Sequence, residues 1–226
     1  MKHNLLPEFQ SAYRRGHSTE TALLKITSDI FEAADNKQTT LLGMLDLSAA
    51  FDTVDHDILL TRLEKTYGIT GSALGWITSF VSNRSQVVKF DGSPSASIRV
   101  RYGVPQGSVL GPLLYILYTA DVMAIAAALG VRVHSYADDT QLYLTCPAVD
   151  QSGAVAKLVD CINKIEEWMT TNRLKLNADK TQFTWLGSRQ QLTKLSGDPI
   201  QLHSSTIKLS SQAKNLGIIL DAKMTM

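Results

Sequence analysis

Apolar and polar positions change period several times along the chain, and each change marks an element. Ala22, Leu23, Ile26, Ile30 and Ala33 recur at helical spacing, predicting a helix over 21–36 with Ser18 as its cap and Glu20 in its first turn. Residues 39–47 (TTLLGMLDL) form an apolar run of strand length that carries Asp46 near its end. Helical stretches follow at 58–67 and 72–81, separated by Gly68 and Gly71. Residues 86–90 and 97–102 read as strands joined around Asp91-Gly92, a hairpin signal. A second hairpin is predicted from 131–136 and 141–145, which flank Asp138-Asp139. Val155, Leu158, Val159, Ile162, Ile165, Trp168 and Met169 make one apolar helix face, and 181–186 and 215–220 read as closing strands. Two hairpins among helices fit an α+β fold, an antiparallel sheet with helices packed on one face, better than a doubly wound parallel sheet.

The stretch from 109 to 131 is apolar enough to suggest a membrane span, but it contains Gly111, Pro112 and Asp121. A buried core helix starting near Ser108 is the expectation, and no membrane partner is expected. Residues 1–10 lack an apolar core of signal-peptide length. An intracellular, non-secreted protein is expected from the chemistry read below, with nucleus and cytoplasm both open. The chain has 226 residues and is 44% hydrophobic, which excludes intrinsic disorder. Its net charge of +1 excludes a uniformly basic nucleic-acid coat. Cys146 and Cys161 support neither a disulfide scaffold nor a zinc site and are expected to be buried thiols.

The charge is unevenly placed. Four acidic residues, Asp46, Asp52, Asp55 and Asp57, crowd into 44–57. Arg84, Lys89, Arg99 and Arg101 face a single acid over 84–101, and Arg173, Lys175, Lys180, Arg189 and Lys194 face one over 173–194. An acidic centre between basic flanks suits a polyanion held beside a metal, and a solvated charged surface gives the same counts. Asp46 closes an apolar strand, and Asp138-Asp139 sit in a tight turn. Carboxylates brought together repel unless cations neutralise them, and hard oxygen donors suit Mg²⁺. Two such ions can clamp the attacking and leaving oxygens of a phosphoryl transfer. Asp is also an ordinary turn residue.

Five motifs in order resemble a known family: LLGMLDLSAAFDTVDH (41–56), YGVPQGSVLGPLLYILY (102–118), YADDTQLY (136–143), NRLKLNADKTQF (172–183) and KNLGIILD (214–221). They look like the successive palm motifs of reverse transcriptases from non-LTR (LINE-type) retrotransposons, and FQSAYRRGHSTETAL (9–23) looks like the segment preceding them. SAAFDTVDH points to this class over retroviral or telomerase enzymes. The resemblance spans Leu6 to about Met224.

The resemblance implies a right-handed polymerase palm with partial fingers and no thumb, copying RNA into DNA. It implies two Mg²⁺ ions (Mn²⁺ serving in vitro), an RNA template, a DNA primer and deoxynucleoside triphosphates. Asp46 and Asp138 become the main metal ligands, Asp139 a supporting one and Leu47 a backbone carbonyl ligand. Ala49, Ala50, Gln106 and Gly107 line the incoming nucleotide. Phe51 becomes the gate whose ring clashes with a ribose 2′-OH, where a plain core aromatic is the other reading. Lys180 protonates the leaving pyrophosphate, Leu216 and Gly217 grip the primer end, and Arg14 and Arg15 contact the template. Trp76, Trp168 and Trp185 are expected in the core. His134 is expected to face a polar neighbour, and His56 receives no role.

The implied organisation is a fragment over 1–226: a template-contact segment (1–38), a palm with finger insertions (39–212) and a primer-grip strand (213–226). A rival of another class remains open, a non-catalytic nucleic-acid-binding remnant of such a polymerase.

Overall fold

The computed structural model describes residues 5–203 and 205–224. The outermost positions of the expected first and last segments, 1–4 and 225–226, lie outside the described residues. Along the chain the elements are α1 (Thr19–Asp35), β1 (Thr39–Leu45), α2 (His56–Lys65), α3 (Gly71–Val81), β2 (Arg84–Gln86), β3 (Lys89–Phe90), β4 (Ser93–Pro94) and β5 (Ile98–Val100). Then come α4 (Leu110–Thr119), α5 (Asp121–Ala128), β6 (Arg132–Tyr136), β7 (Asp139–Cys146), α6 (Gln151–Thr171) and β8 (Gln182–Leu186). The last are α7 (Arg189–Leu192), β9 (Ile200–Gln201), β10 (Thr206–Ile207), β11 (Gln212–Asn215) and β12 (Ile218–Asp221).

The sheet that carries the fold is antiparallel, in the order β6-β7-β1-β8. Alternation along its strands splits the core in two. Leu41, Leu142, Leu144, Phe183 and Trp185 face α6, meeting Leu158, Cys161, Ile162 and Ile165. Leu42, Tyr143 and Leu186 face the other way, onto Ile26 and Ile30 of α1 and Leu220 of β12. Helices therefore cover both faces, which corrects the one-face expectation. α1 is long enough, and apolar enough on one stripe, to roof the second face. Its start is a capping box: Thr21 N donates to Ser18 Oγ, and Ser18 N donates to Thr21 Oγ1.

Gly43 shows why this sheet packs closely. A Cβ there would stand 2.7 Å from Phe183 Cε1, so the aromatic ring occupies the space a side chain would need. On the same side of the molecule, the apolar stretch bends into two helices, α4 and α5, joined at Ala120. Leu114, Tyr115, Ile116, Tyr118, Val122 and Ala126 are buried. Asp121, the residue that argued against a membrane span, pairs with Arg62 at 3.0 Å. Arg62 also bonds Asn172 Oδ1 and the Tyr118 carbonyl and lies over the Tyr118 and Trp168 rings, tying α2, α4 and α6 together.

Several expected elements take other forms. The strand at 86–90 is broken: β2 pairs with β5 and β3 with β4, as two short ribbons outside the main sheet. The turn at Asp91-Gly92 is present, with positive φ at both residues. The single strand expected at 215–220 is a hairpin, β11–β12, because Leu216 and Gly217 both take positive φ and reverse the chain. Trp76 is 57% exposed rather than in the core; on a short helix at the molecule's edge it stacks on Phe80, ring centroids 5.7 Å apart. Both cysteines are free and buried, and burial pushes the Cys161 thiol up to about 11.

Candidate active site

β1 ends one residue before Asp46. Its last pair with β7 is Leu45 with Thr140, so the next step along the register sets Asp46 across from Asp139. Residues directly opposite in an antiparallel pair project to the same face. β6 and β7 join through Ala137-Asp138, with Ala137 at φ 59, which puts Asp138 at the tip of a two-residue turn. Three carboxylates thus converge from a strand end, a turn and a strand start.

The stretch after Asp46 is pinned. The Asp46 carbonyl accepts from Asn177 N at 2.8 Å, Leu47 bridges to Leu176, and Ser48 N donates to the Lys175 carbonyl at 2.9 Å. The 172–183 motif is therefore the partner that fixes the exit of β1. The same pairing brings Lys180 Nζ to 3.9 Å from Asp46 Oδ2, at an exposed rim.

The turn is buttressed from the chain's start. Residues 9–11 run parallel to β6: Ser135 N donates to the Phe9 carbonyl, and Ser11 N donates to the Ser135 carbonyl. Gln10 is buried there, and its Oε1 accepts from Ala12 N at 2.7 Å and Ala137 N at 3.4 Å. Sequence reasoning gave Gln10 no role; its place in an otherwise polar, turn-rich FQSAYRR was the available signal.

The electrostatics agree with convergence. Lost hydration and the charges of Asp138 and Asp46 hold Asp139 above the usual carboxylate range. Tyr115, fully buried beneath the site, is pushed well above the ordinary phenol range by burial and by Asp138 and Asp139. Its hydroxyl has no hydrogen-bond partner among the described residues. No group of three carboxylate, imidazole or thiolate side chains among the described residues forms a preformed ion cage. The donors are nevertheless hard oxygens that repel one another. They fit an ion such as Mg²⁺, which takes one or two carboxylates and completes its shell with water and substrate phosphates.

Phe51 stacks on Tyr115, ring centroids 4.5 Å apart, so the gate candidate rests on a buried aromatic shelf. Ala49 has positive φ and is exposed, while Ala50 is buried. The Gln106-Gly107 loop reaches the same segment, because Gln106 Nε2 donates to Asp52 Oδ1 at 2.9 Å. Gly103 anchors that loop: its N–H donates to the Val54 carbonyl, Val104 N donates to the Phe51 carbonyl, and a Cβ at Gly103 would lie 2.8 Å from Asp52 Cα. His56, given no role from sequence, bonds the Gly103 carbonyl at 2.9 Å, and Arg84 bonds the same oxygen.

Leu216 and Gly217 form the tip of β11–β12. Leu216 lines a cavity of about 310 Å³ together with Asp46, Asp139, Lys180 and Lys214. The two candidate arginines differ. Arg14 Nη1 donates to the Pro7, Glu8 and Gln10 carbonyls, so its guanidinium holds the segment that buttresses the turn. Arg15 is exposed. His134 does meet a polar neighbour, Ser11 Oγ at 2.9 Å.

The family model described as "Reverse transcriptase (RNA-dependent DNA polymerase)" matches residues 1–220. A relative from Drosophila melanogaster, "Probable RNA-directed DNA polymerase from transposon BS", is 32% identical over 98% of this chain. "RNA-directed DNA polymerase from mobile element jockey", from the same fly, is 28% identical over 97%. In both cases the match covers 24% of the relative, so this chain spans about a quarter of their length. Among solved structures, apo telomerase from Candida tropicalis truncated from its C-terminal domain aligns with a TM-score of 0.65 at 13% identity, over 96% of this chain and 40% of that one. Telomerase from Candida albicans aligns with a TM-score of 0.57 at 13% identity, over 94% of this chain and 33% of that one. At that identity the likeness shows a shared polymerase palm fold.

Proposed function

This chain belongs to the reverse transcriptase (RNA-dependent DNA polymerase) family, as a domain of the non-LTR (LINE-type) retrotransposon kind, and we propose that it extends a DNA primer on an RNA template. The observation that carries the proposal is the register that faces Asp46 with Asp139 and sets Asp138 in the adjoining turn. Two Mg²⁺ ions held there would supply activation of the primer 3′-OH and charge neutralisation on the triphosphate.

The chain's own groups then divide the work. Asp46, Asp138 and Asp139 carry the negative charge that holds the ions, with the Leu47 carbonyl as a further oxygen donor. Ala49 and Ala50 offer backbone beside the triphosphate. Phe51, stiffened by Tyr115, closes the space a 2′-OH would need. Gln106 and Gly107 flank the incoming nucleotide, and the Gln106–Asp52 bond keeps that loop against the Phe51 segment. Lys180 would give a proton to pyrophosphate, a role supported by its nearness to Asp46. Leu216 and Gly217 support the primer end. Arg15, which is exposed, and Arg14, whose Nη1 also holds the 7–10 segment, would contact template phosphate.

The test is extension of oligo(dT) on poly(rA) with Mg²⁺ and labelled dTTP. The wild type incorporates label, Asp138→Asn falls to background, and its melting temperature changes little. Equal extension by Asp138→Asn would overturn the assignment. In the same assay Phe51→Ala is expected to accept ribothymidine triphosphate, which differs from dTTP only in its 2′-OH, about tenfold or more better relative to dTTP. Unchanged discrimination would remove Phe51 from the gate.

A further inference from the structure

The hairpin β11–β12 is fastened to the body by apolar contacts, with Ala213 buried and Ile218 packed beside Leu220, and by hydrogen bonds at its base and near its tip. At its base, Leu220 is buried against Ile26 and Ile30, and Gly187 N donates to the Ala222 carbonyl at 3.1 Å. At its tip the fastening is polar. Gln141 Nε2 donates to Asn215 Oδ1 at 3.0 Å, and both side chains are only 2% exposed. Each amide keeps one buried polar atom without a partner among the described residues, Gln141 Oε1 and Asn215 Nδ2.

Stability does not account for such a pair. One hydrogen bond with two buried polar atoms left over is a poor exchange against two apolar side chains of the same size. What the bond supplies is direction. An amide hydrogen bond holds its partners to a narrow distance and angle, whereas apolar contacts slide. The places it joins are informative. Gln141 lies two residues beyond Asp139 on β7 and pairs across to Met44, two residues before Asp46. Asn215 is the last residue of β11, directly before the Leu216-Gly217 turn. Both amides line the cavity shared by Asp46, Asp139, Lys180 and Leu216.

We infer that Gln141 and Asn215 are positioning residues: their bond sets the offset between the 216–217 turn and the carboxylates, and so keeps a primer terminus in register with the metal site. The inference rests on the polymerase reading, and neither amide touches the reacting atoms.

The experiment uses Gln141→Leu, Asn215→Leu and the double Leu variant. Two readouts are taken: amide hydrogen exchange by mass spectrometry, and affinity for a recessed oligo(dT)·poly(rA) hybrid beside poly(rA) alone. Each single variant is expected to exchange about tenfold faster within 212–221 while β1 and β7 stay protected. Each should also lose about tenfold in hybrid affinity while its affinity for poly(rA) holds. The double variant should regain melting temperature, since both unpaired amides are gone, and still bind the hybrid poorly. Unchanged exchange within 212–221 would overturn the latch. Recovery of hybrid affinity in the double variant would reduce the pair to ordinary packing and overturn the positioning role. A wild type that binds neither ligand would tell against the polymerase reading itself, and the exchange readout would still decide the latch.

Discussion

The molecule presents two antiparallel hairpins to one cavity, and they are held in different ways. β6–β7 is built into the main sheet. β7 pairs along its length with β1, both faces of the sheet are covered by helices, and the Gln10 amide props its turn. β11–β12 lies outside that sheet and is held by buried Ala213 and Leu220, by Ile218 packed beside Leu220, by the Gly187–Ala222 backbone bond and by the Gln141–Asn215 amide bond. Asp138 and Asp139, two of the three proposed metal ligands, sit on the hairpin that is built into the main sheet. The turn proposed for the primer end sits on the hairpin outside the main sheet, so its offset from the carboxylates rests on side-chain ties rather than on strand pairing.

The contrast breaks most sharply at Gly43. Gly43→Val drives its side chain into Phe183, beneath the sheet that carries the first hairpin. A loss of about 1–3 kcal/mol in unfolding free energy is expected, read from urea midpoints. Protection in β11–β12 should fall only together with the whole. A change confined to 212–221 would show that the main sheet tolerates the strain and that the two hairpins are not held as described.

A smaller effect sharpens the comparison through pH. Burial first, then the nearby charges of Lys25 and His17, lower His134 on β6 to about 4, with Asp29 opposing. The unfolded chain takes that proton near pH 6.5. Stability is therefore full above about pH 6.5 and falls as pH drops toward 4, because the unfolded state binds the proton first. Between pH 7 and 5 the expected loss is about 1–2 kcal/mol, and His134→Gln should flatten it. Asp29 titrates on the other side of this window. Burial raises its pKa, but Lys25 and Tyr143 more than offset that and hold it below the usual range, so its contribution fades only at stronger acid. Equal slopes for wild type and His134→Gln between pH 7 and 5 would remove His134 as the cause.

Much of this was readable from sequence, for a physical reason. Period-two and helical patterns report which side of an element is buried, so α1, β1, β6, β7, α6 and β8 were found close to their observed bounds. Asp46, Asp138 and Asp139 stood out as candidates because an acid at the end of an apolar strand, or paired in a turn between two, has little packing reason to be there. The break at 87–88 and the turn at 216–217 were missed because both depend on backbone conformations that apolar side chains conceal. Leu216 takes positive φ inside a run that reads as strand. Helices on both faces were missed because a periodic stripe does not say which side of a sheet it meets. Gln141 and Asn215 were passed over because a polar side chain in a strand looks solvent-facing until its partner is known, and Gln10 because it lies in a turn-rich segment outside any strand.

Asp46 facing Asp139, with Asp138 in the adjoining turn, is proposed to make a divalent-metal site completed by substrate. The most direct test is electron paramagnetic resonance of Mn²⁺ bound to the chain with a dideoxy-terminated oligo(dT)·poly(rA) hybrid and dTTP. The account predicts about two bound Mn²⁺ per chain in the full mixture, clearly fewer without dTTP, and fewer again for Asp46→Asn. Equal Mn²⁺ binding by wild type and Asp46→Asn in the full mixture would contradict it.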